Sequence, residues 1–343
     1  MKNKNKILII VLFLALAMGN LFASGGDRTG TAGGVQLLIP VGARGIAMGS
    51  GNISNTYGIE SLFWNPAGVA KLDHSVDLTF SHMNYIADIG VEYGAVATKI
   101  EGFGSLALSV KALSIGDIPI TTTLNPDGTG AVFAPQMLTA GLTYARQLTE
   151  RISVGVTASY LTETLDKVSA SGYAFNAGVC YMDLADINGL SFGLVLSNLG
   201  PQMTYSGSGL LVLSTVPNLN RPPTYTTLNA ASFELPSSFQ LGLGYKPQLD
   251  DINSLQIAGT FQNNNFSGDE YKIGAEYGYN NMFFARIGYQ TSPKSQSDDY
   301  IYGFTAGVGI NYDFEGIGLK VDYAYRAVKY LGDNHVFALS LGF

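Results

Sequence analysis

An alternation of apolar with small or polar side chains, running from about residue 75 to the C-terminus, most constrains what this chain can fold into. In the clearest segment two sets of residues alternate: Ile317, Leu319, Val321, Tyr323 and Tyr325 with Gly318, Lys320, Asp322, Ala324 and Arg326. Because successive side chains of a β-strand point to opposite faces, this segment is predicted to be a strand with two different faces. The less apolar face is mostly Gly, Ala, Ser and Thr with a few charges, here and in other segments, and such a face suits a confined lumen.

Fourteen segments carry this alternation, each about ten residues long: 75–84, 89–100, 103–115, 135–147, 151–163, 171–183, 189–199, 236–246, 253–264, 268–278, 281–290, 300–312, 316–328 and 333–343. A tilted strand needs about 9–11 residues to cross a bilayer. Aromatic residues fall near the segment ends, where a membrane barrel has its aromatic girdles. We therefore predict an all-β fold, a transmembrane barrel of fourteen antiparallel strands.

The connections between these segments differ in length according to their parity. Counted from the first, the odd-numbered connections include the long ones: 116–134, 164–170, 200–235 and 291–299. The even-numbered connections are short turns. A barrel with both termini in the periplasm has long outer loops and tight inner turns, whereas a soluble sandwich has no reason to follow this parity. The chain also ends on an alternating strand with a terminal aromatic, Phe343, as outer-membrane barrels commonly do.

The composition excludes several other classes of protein. Charged residues make up 13% of the chain, the formal net charge is -7 and the pI is near 4.9, so nucleic acid is excluded as a partner because phosphate binding needs a basic face. Hydrophobic residues make up 46%, which is too many for a disordered chain. The single cysteine, Cys180, permits neither an intrachain disulfide nor a zinc site built from cysteines.

The first 23 residues read as a cleavable signal peptide. Lys2, Lys4 and Lys6 precede an apolar run, and the small residue Ala23 ends an acceptable cleavage site. The run is shorter than the roughly 20 residues of a spanning helix, which disfavours a membrane anchor. We therefore expect an exported protein of the outer membrane in three parts: signal peptide 1–23, N-terminal hatch 24–74 and transmembrane barrel 75–343.

The expectation of a hatch rests on residues 24–74, which do not alternate and are too long for a tail that merely starts a strand. A fourteen-strand barrel lies between the filled eight-strand barrels and the water-filled sixteen-strand porins, so its lumen has room for a plug of this size. Within the segment Asn65, Pro66 and Gly68 are predicted to form a fixed corner. Pro66 keeps the preceding residue out of a helix, and Gly68 permits a left-handed turn.

Both ends of the chain carry distinctive motifs. Near the start Gly42-Ala-Arg-Gly-Ile-Ala-Met-Gly49 is followed by Trp64-Asn-Pro-Ala-Gly68, and near the end Leu319-Lys-Val-Asp-Tyr-Ala-Tyr325 is followed by Leu331-Gly-Asp-Asn-His335. These motifs resemble those of the PorV/PorQ family, whereas the middle of the chain matches that family only in its barrel periodicity. The resemblance implies a FadL-like barrel, in which fourteen strands surround an N-terminal hatch with an Asn-Pro-Ala element.

Two functions follow from the resemblance, and both stay open at this point. A PorV-like protein is implied to take part in type IX protein secretion by holding exported proteins with a C-terminal sorting domain at the outer membrane. FadL-like relatives instead imply passive uptake of hydrophobic small molecules, and a barrel scaffold without a transported ligand is a third interpretation. The connection 200–235 contains Leu210-Leu-Val-Leu213 and Arg221-Pro-Pro-Thr-Tyr225, which suit a protein partner or a hydrophobic entrance equally. Outer-membrane lipid is expected around the barrel in every case.

Charged residues on the small-residue face are the candidate site residues, together with Arg44 in the hatch. The principal ones are Glu276, Arg286, Lys320, Asp322 and Arg326. Unpaired charges inside a barrel are costly without water or a partner. We therefore consider two interpretations, an ion-pair network that holds the hatch and a polar path for a solute. Arg44 is expected to pair with Glu276 or Asp322.

No catalytic or metal-binding pattern is found in the sequence. His74, His82 and His335 lack metal-ligand spacing, and no serine stands in a Gly-x-Ser-x-Gly elbow. Cys180 is expected to face the lumen as a small filler. We therefore expect no catalysis, no metal and no cofactor.

Overall fold

The computed structural model describes residue 28 and residues 30–215, 222–293 and 300–343. Fourteen antiparallel strands form a closed barrel. In chain order they are β1 Val76–Asn84, β2 Gly90–Ile100, β3 Gly104–Ser114, β4 Gln136–Gln147, β5 Ile152–Leu165, β6 Val168–Met182, β7 Leu190–Leu199, β8 Ser238–Tyr245, β9 Asn253–Asn264, β10 Glu270–Tyr279, β11 Phe283–Thr291, β12 Tyr302–Phe314, β13 Ile317–Val328 and β14 Asn334–Gly342. Each strand pairs with the next, and β1 pairs with β14 to close the barrel.

The predicted fold class is confirmed, because all fourteen strands are present in one closed sheet. The alternation of side chains appears as alternating exposure. On β13, Ile317 and Val321 are 45% and 48% exposed, whereas Asp322 and Arg326 are 4% and 2% exposed. The apolar face of the strands therefore points outward, and the small and polar face points into the lumen.

Two details of the predicted strands were wrong. The connection 164–170 is not a long loop, since β5 and β6 continue to Leu165 and Val168 and leave Asp166 in a tight turn with φ of 50°. Asp tolerates this left-handed conformation better than most residues. Strict alternation along 300–312 predicts that Tyr302 shares the outward face with Phe304, but the pairing of β12 with β13 shifts between Tyr302 and Thr305. This one-residue bulge turns Tyr302 to the lumen side.

The two ends of the barrel differ in their connections. One end, called the loop end here, carries the two longest connections, and the other, called the turn end, carries the C-terminal Phe343 and short turns. The long connections contain three small ladders: Ile118–Pro119 with Val132–Phe133, Met203–Thr204 with Ser232–Phe233, and Leu211–Ser214 with Thr224–Thr227. The connections between strands also contain 3-10 turns, at Leu184–Asp186 and Ser208–Leu210.

Residues 30–74, called the N-terminal segment, are mostly buried and contain short helices. These are α1 Ala43–Ala47 and α2 Ser61–Trp64, with 3-10 turns at Val35–Leu38 and Pro66–Ala70. The segment begins near the loop end, where Gly33 N donates to Glu234 O at 3.2 Å. It reaches the turn end at His74, whose ring lies against Gly318 and Gly342.

Among the described residues, no helix has both the length and the apolar character to cross a membrane.

Candidate functional site

The N-terminal segment approaches the inner face of the barrel most closely at glycines. A Cβ atom on Gly178 of β6 would lie 2.1 Å from Asn65 Oδ1, and one on Gly274 of β10 would lie 2.2 Å from the carbonyl oxygen of Met48. No side chain fits at these distances, so the close approach itself requires glycine. The same holds at other inward glycines: Gly155, Gly193, Gly242, Gly288 and Gly307. The small residues that indicated a confined lumen therefore provide the space for this segment.

Asn65 fixes the corner at the end of α2. Its backbone is extended, with φ of -154° and ψ of 106°, as the following Pro66 requires. Its side-chain Oδ1 accepts a hydrogen bond from Ala67 N at 3.1 Å and caps the 3-10 turn. Its Nδ2 lies 2.9 Å from Ile53 O, 3.2 Å from Val179 O and 3.1 Å from Cys180 Sγ. One buried amide thus joins two parts of the N-terminal segment to β6.

Gly68 has a different role from the one predicted. It lies inside the 3-10 turn Pro66–Ala70 and does not have a positive φ. A Cβ at this position would lie 2.3 Å from Thr56 O and 2.6 Å from Ser61 Cβ. Gly68 is therefore required by close packing inside the N-terminal segment and not by a left-handed turn.

A chain of alternating charges crosses from the N-terminal segment to the barrel wall. Arg44 donates through Nε to Glu276 Oε2 at 2.8 Å and through Nη2 to Glu276 Oε1 at 2.9 Å, and its Nη1 lies 3.4 Å from Glu60 Oε2. Arg286 donates to the same Glu276 Oε2 at 2.6 Å and also pairs with Asp322. The two arginines alternate with the three carboxylates, so each buried charge has a partner of opposite sign. Breaking such a buried pair typically costs several kcal/mol.

Arg44 remains charged in this setting. Burial alone would lower the pKa of its guanidinium, but the charge and hydrogen bonds of Glu276 outweigh burial and raise the pKa above its ordinary value. Of the two partners considered for Arg44, Glu276 makes the direct contact, while Asp322 is reached through Arg286. Glu60 was not among the sequence candidates, since the segment that carries it has no periodicity that would indicate which residues face Arg44.

The other candidate charges lie apart from this chain. Lys320 Nζ lies 3.2 Å from Asp73 Oδ2 at the turn end. Arg326 donates to Asn334 near the loop end. Lys111 of β3 donates to Ile39 O at 3.0 Å and lies 4.9 Å from the ring centre of Phe63, so it also joins the barrel to the N-terminal segment.

A cavity of about 810 Å³ opens at the turn end below the charge chain. Its lining includes Arg44, Glu60, Asn55, Tyr57 and Gln256. Burial raises the pKa of the Tyr57 hydroxyl above its ordinary value, so this group stays neutral at physiological pH. The described part of the chain has no group of three or more His, Cys, Asp or Glu residues that could hold a metal ion.

Fold and lumen together define a class of protein. A closed antiparallel barrel with an apolar, aromatic outer face and a polar interior is an outer-membrane β-barrel. Solved structures share this fold. The toluene transporter TbuX of Ralstonia pickettii matches with a TM-score of 0.55 at 13% identity over 88% of this chain and 98% of that chain. The toluene transporter TodX of Pseudomonas putida matches with a TM-score of 0.52 at 13% identity over 87% of this chain and 96% of that chain.

Sequence comparison with family models gives the narrower assignment. Residues 23–219 match the model of the type IX secretion system protein PorV, and residues 122–343 match that of the type IX secretion system membrane protein PorP/SprF. The two matches place the chain among the type IX secretion system proteins of the PorV and PorP/SprF families, which confirms the resemblance to the PorV/PorQ family. No curated protein matches the chain.

Proposed function

We propose that this protein holds exported cargo at the cell surface during type IX secretion and that the loop end is the part that contacts the cargo. The observation that carries the proposal is the hairpin of Leu211–Ser214 and Thr224–Thr227 in the longest connection. Leu213 and Tyr225 are paired on one face of the hairpin and are 61% and 70% exposed. An exposed β-hairpin with an apolar face offers both a free strand edge and side-chain contacts to an extended partner.

The orientation of the barrel follows from its connections. Long loops of such barrels face outside and short turns face the periplasm. With this orientation the loop end meets exported proteins outside the cell, and the C-terminal Phe343 lies at the periplasmic end. Residues 1–23 are proposed to be the signal peptide that directs export, and they lie outside the described residues.

The N-terminal segment, within the proposed hatch 24–74, is proposed to act as the plug of the barrel. Its glycine contacts and the pairing of Arg44 with Glu276 support this role. The charge chain is then the network that holds the plug, which is the first of the two interpretations of the lumen charges. The barrel would accordingly bind cargo at its rim without passing it through the lumen.

The cargo proposal is tested by removing the hairpin. Residues 210–228 are deleted and replaced by a short glycine turn, which leaves the pair Met203–Thr204 and Ser232–Phe233 in place to close the loop. Tagged protein is purified from outer membranes, and exported proteins with a C-terminal sorting domain are identified by mass spectrometry. We expect these proteins to co-purify with the full chain and to be lost with the deletion. The control deletes residues 120–131 of the other long connection.

Hydrophobic uptake is the second candidate, because the solved structures with this fold include toluene transporters. The polar lining of the turn-end cavity disfavours it. Uptake of labelled toluene by cells that express the protein, together with the absence of any co-purifying exported protein, would favour this candidate over cargo binding.

A further inference from the structure

The longest connection, 200–235, has a short base below the hairpin of Leu211–Ser214 and Thr224–Thr227. This base is a ladder of only two residue pairs, Met203–Thr204 with Ser232–Phe233. An isolated two-stranded ladder is marginally stable at best in water. The place of the hairpin at the loop end therefore depends on what holds the two arms of the base.

The returning arm of the base lies on the start of the N-terminal segment. Gly33 N donates to Glu234 O at 3.2 Å, and Arg28 Nη2 pairs with Glu234 Oε2 at 2.9 Å. The ring of Phe233 covers Gly33 so closely that a Cβ atom on this glycine would overlap the ring. No side chain fits beneath the ring as it lies, so this contact requires glycine.

A buried apolar cluster supports both arms of the base. Its members come from the N-terminal segment (Leu37), from β5 (Leu161) and from the two arms themselves (Met203 and Leu235). Met203 and Leu235 are only 1% and 2% exposed, so both arms are fully packed into the cluster. Because Leu37 is the member that the N-terminal segment supplies, the base is completely packed only when this segment is in place.

The two arms are held by different parts of the molecule. The outgoing arm is tied to β6, where Ser206 and Ser169 exchange backbone hydrogen bonds of 2.8 and 2.9 Å. The returning arm is held by the N-terminal segment at Gly33, and Asn265 Nδ2 donates to Leu235 O at 3.3 Å. Loss of the contact at Gly33 would therefore free one arm while the other stays attached, and the hairpin above them would become mobile.

We propose that residues 33–37 of the N-terminal segment position the hairpin for cargo binding. Gly33 and Leu37 are positioning residues, since they hold the base and the base holds the hairpin. This inference rests on the proposed function, in which the hairpin contacts the cargo. It gives the N-terminal segment a second role besides that of a plug, because the cargo-binding part of the loop end takes its place only on a seated segment.

Gly33→Val tests the contact directly, because it places a branched side chain beneath the ring of Phe233. The mobility of the hairpin is measured by electron paramagnetic resonance in detergent, with a nitroxide on Leu228→Cys in a Cys180→Ser background. We expect a more mobile spectrum in the Gly33→Val variant, whereas a nitroxide on Leu124→Cys in the other long connection should not change. An unchanged spectrum at the hairpin would overturn the proposal.

Two further variants separate this contact from a general disturbance of the fold. Adding Phe233→Leu to the Gly33→Val variant makes room for the valine, and it should return the label on Leu228→Cys toward its natural mobility. Gly94→Val is the matched control, because a Cβ there meets its nearest atom, on Phe80, at an ordinary 3.9 Å. Equal mobility of the label in the control, or no recovery in the double variant, would contradict the contact.

Cargo binding is measured on the same proteins by co-purification of exported proteins with a C-terminal sorting domain. Gly33→Val should lower the amount of bound cargo about tenfold, and Gly33→Val/Phe233→Leu should recover part of it. Cargo that stays bound while the label becomes mobile would show that the hairpin is not the cargo site, which overturns the proposed function. Cargo that is lost while the label stays immobile would overturn the positioning role alone.

Discussion

Asn65 occupies the space that a side chain at position 178 would need, since a Cβ on Gly178 would lie only 2.1 Å from Asn65 Oδ1. The same amide lies 3.1 Å from Cys180 Sγ, two residues further along β6. β6 and the corner at Asn65 therefore fit each other in shape and are joined by a hydrogen bond. Variants at positions 178 and 65 can therefore test where the N-terminal segment lies.

Gly178→Leu should displace the corner from β6. Overpacking of this kind costs about 1–3 kcal/mol, and here it also breaks the contacts of the Asn65 amide. Cys180 is the single cysteine of the chain and is buried, so it serves as an internal probe. We expect maleimide to label the folded variant much faster than the natural protein. Gly259→Leu is the control, because a Cβ there meets its nearest atom at an ordinary 3.5 Å; equal labelling of both variants would contradict the contact.

Asn65→Ala should lower the free energy of unfolding by roughly 2 kcal/mol, since it removes the cap of the 3-10 turn and leaves buried carbonyls without donors. Asn55→Ala is the matched control. Asn55 is also buried, but neither atom of its amide has a hydrogen-bond partner among the described residues, so its loss should be nearly neutral. Urea unfolding of the two variants from detergent measures the difference. A loss of similar size in both would mean that burial and not hydrogen bonding makes Asn65 important.

Charge reversal tests the pairing of Arg44 with Glu276. Arg44→Glu places a third carboxylate beside Glu60 and Glu276, and we expect a loss of roughly 3–5 kcal/mol together with a higher single-channel conductance. Glu276→Arg should likewise lower the stability and raise the single-channel conductance. The double variant Arg44→Glu/Glu276→Arg should recover part of both properties, as a double-mutant cycle requires for residues in contact. Additive losses would exclude a direct energetic link between the two residues.

The lowered pKa of Lys71 predicts that the stability of the protein depends on pH. Burial lowers the pKa of its ammonium group below the ordinary 10.5, so the folded protein disfavours the charged form. The resulting destabilisation is present at neutral pH and disappears as the pH rises through the folded pKa toward 10.5. We therefore expect the natural protein to gain stability relative to Lys71→Gln as the pH is raised from 7 toward 10.5. Parallel unfolding curves of the two proteins over this range would rule out the effect.

The barrel could be predicted from the sequence because its determinants are local. Alternation fixes which face of each strand meets lipid, and every predicted strand overlaps the observed one. Inward glycines were also visible as a small-residue face, although their individual contacts with Asn65 or Met48 were not. Such contacts join residues more than a hundred positions apart, and no period in the sequence reports them.

The errors have the same physical origin. The bulge that turns Tyr302 inward depends on how β12 pairs with β13, and alternation along one strand cannot reveal it. Gly68 was assigned to a turn because glycine most often marks one, whereas packing against Thr56 and Ser61 requires it here. Glu60 was missed because its partner Arg44 lies across a fold of the same irregular segment. Arg44 itself was found because a cation inside a predicted barrel is costly unless it meets an acid.

The course of the N-terminal segment has a consequence for how the protein is made. The segment runs along the lumen from the loop end, where Gly33 N donates to Glu234 O, to the turn end, where the next residue, Ser75, donates its N–H to Phe343 O beside the seam of β1 and β14. A free chain end that has to travel the whole length of a finished barrel would have to pass the buried arginines and the tight glycine contacts. We therefore expect the seam between the first and last strands to close only after the segment is already seated, so that barrel closure is the last step of assembly and traps the segment inside.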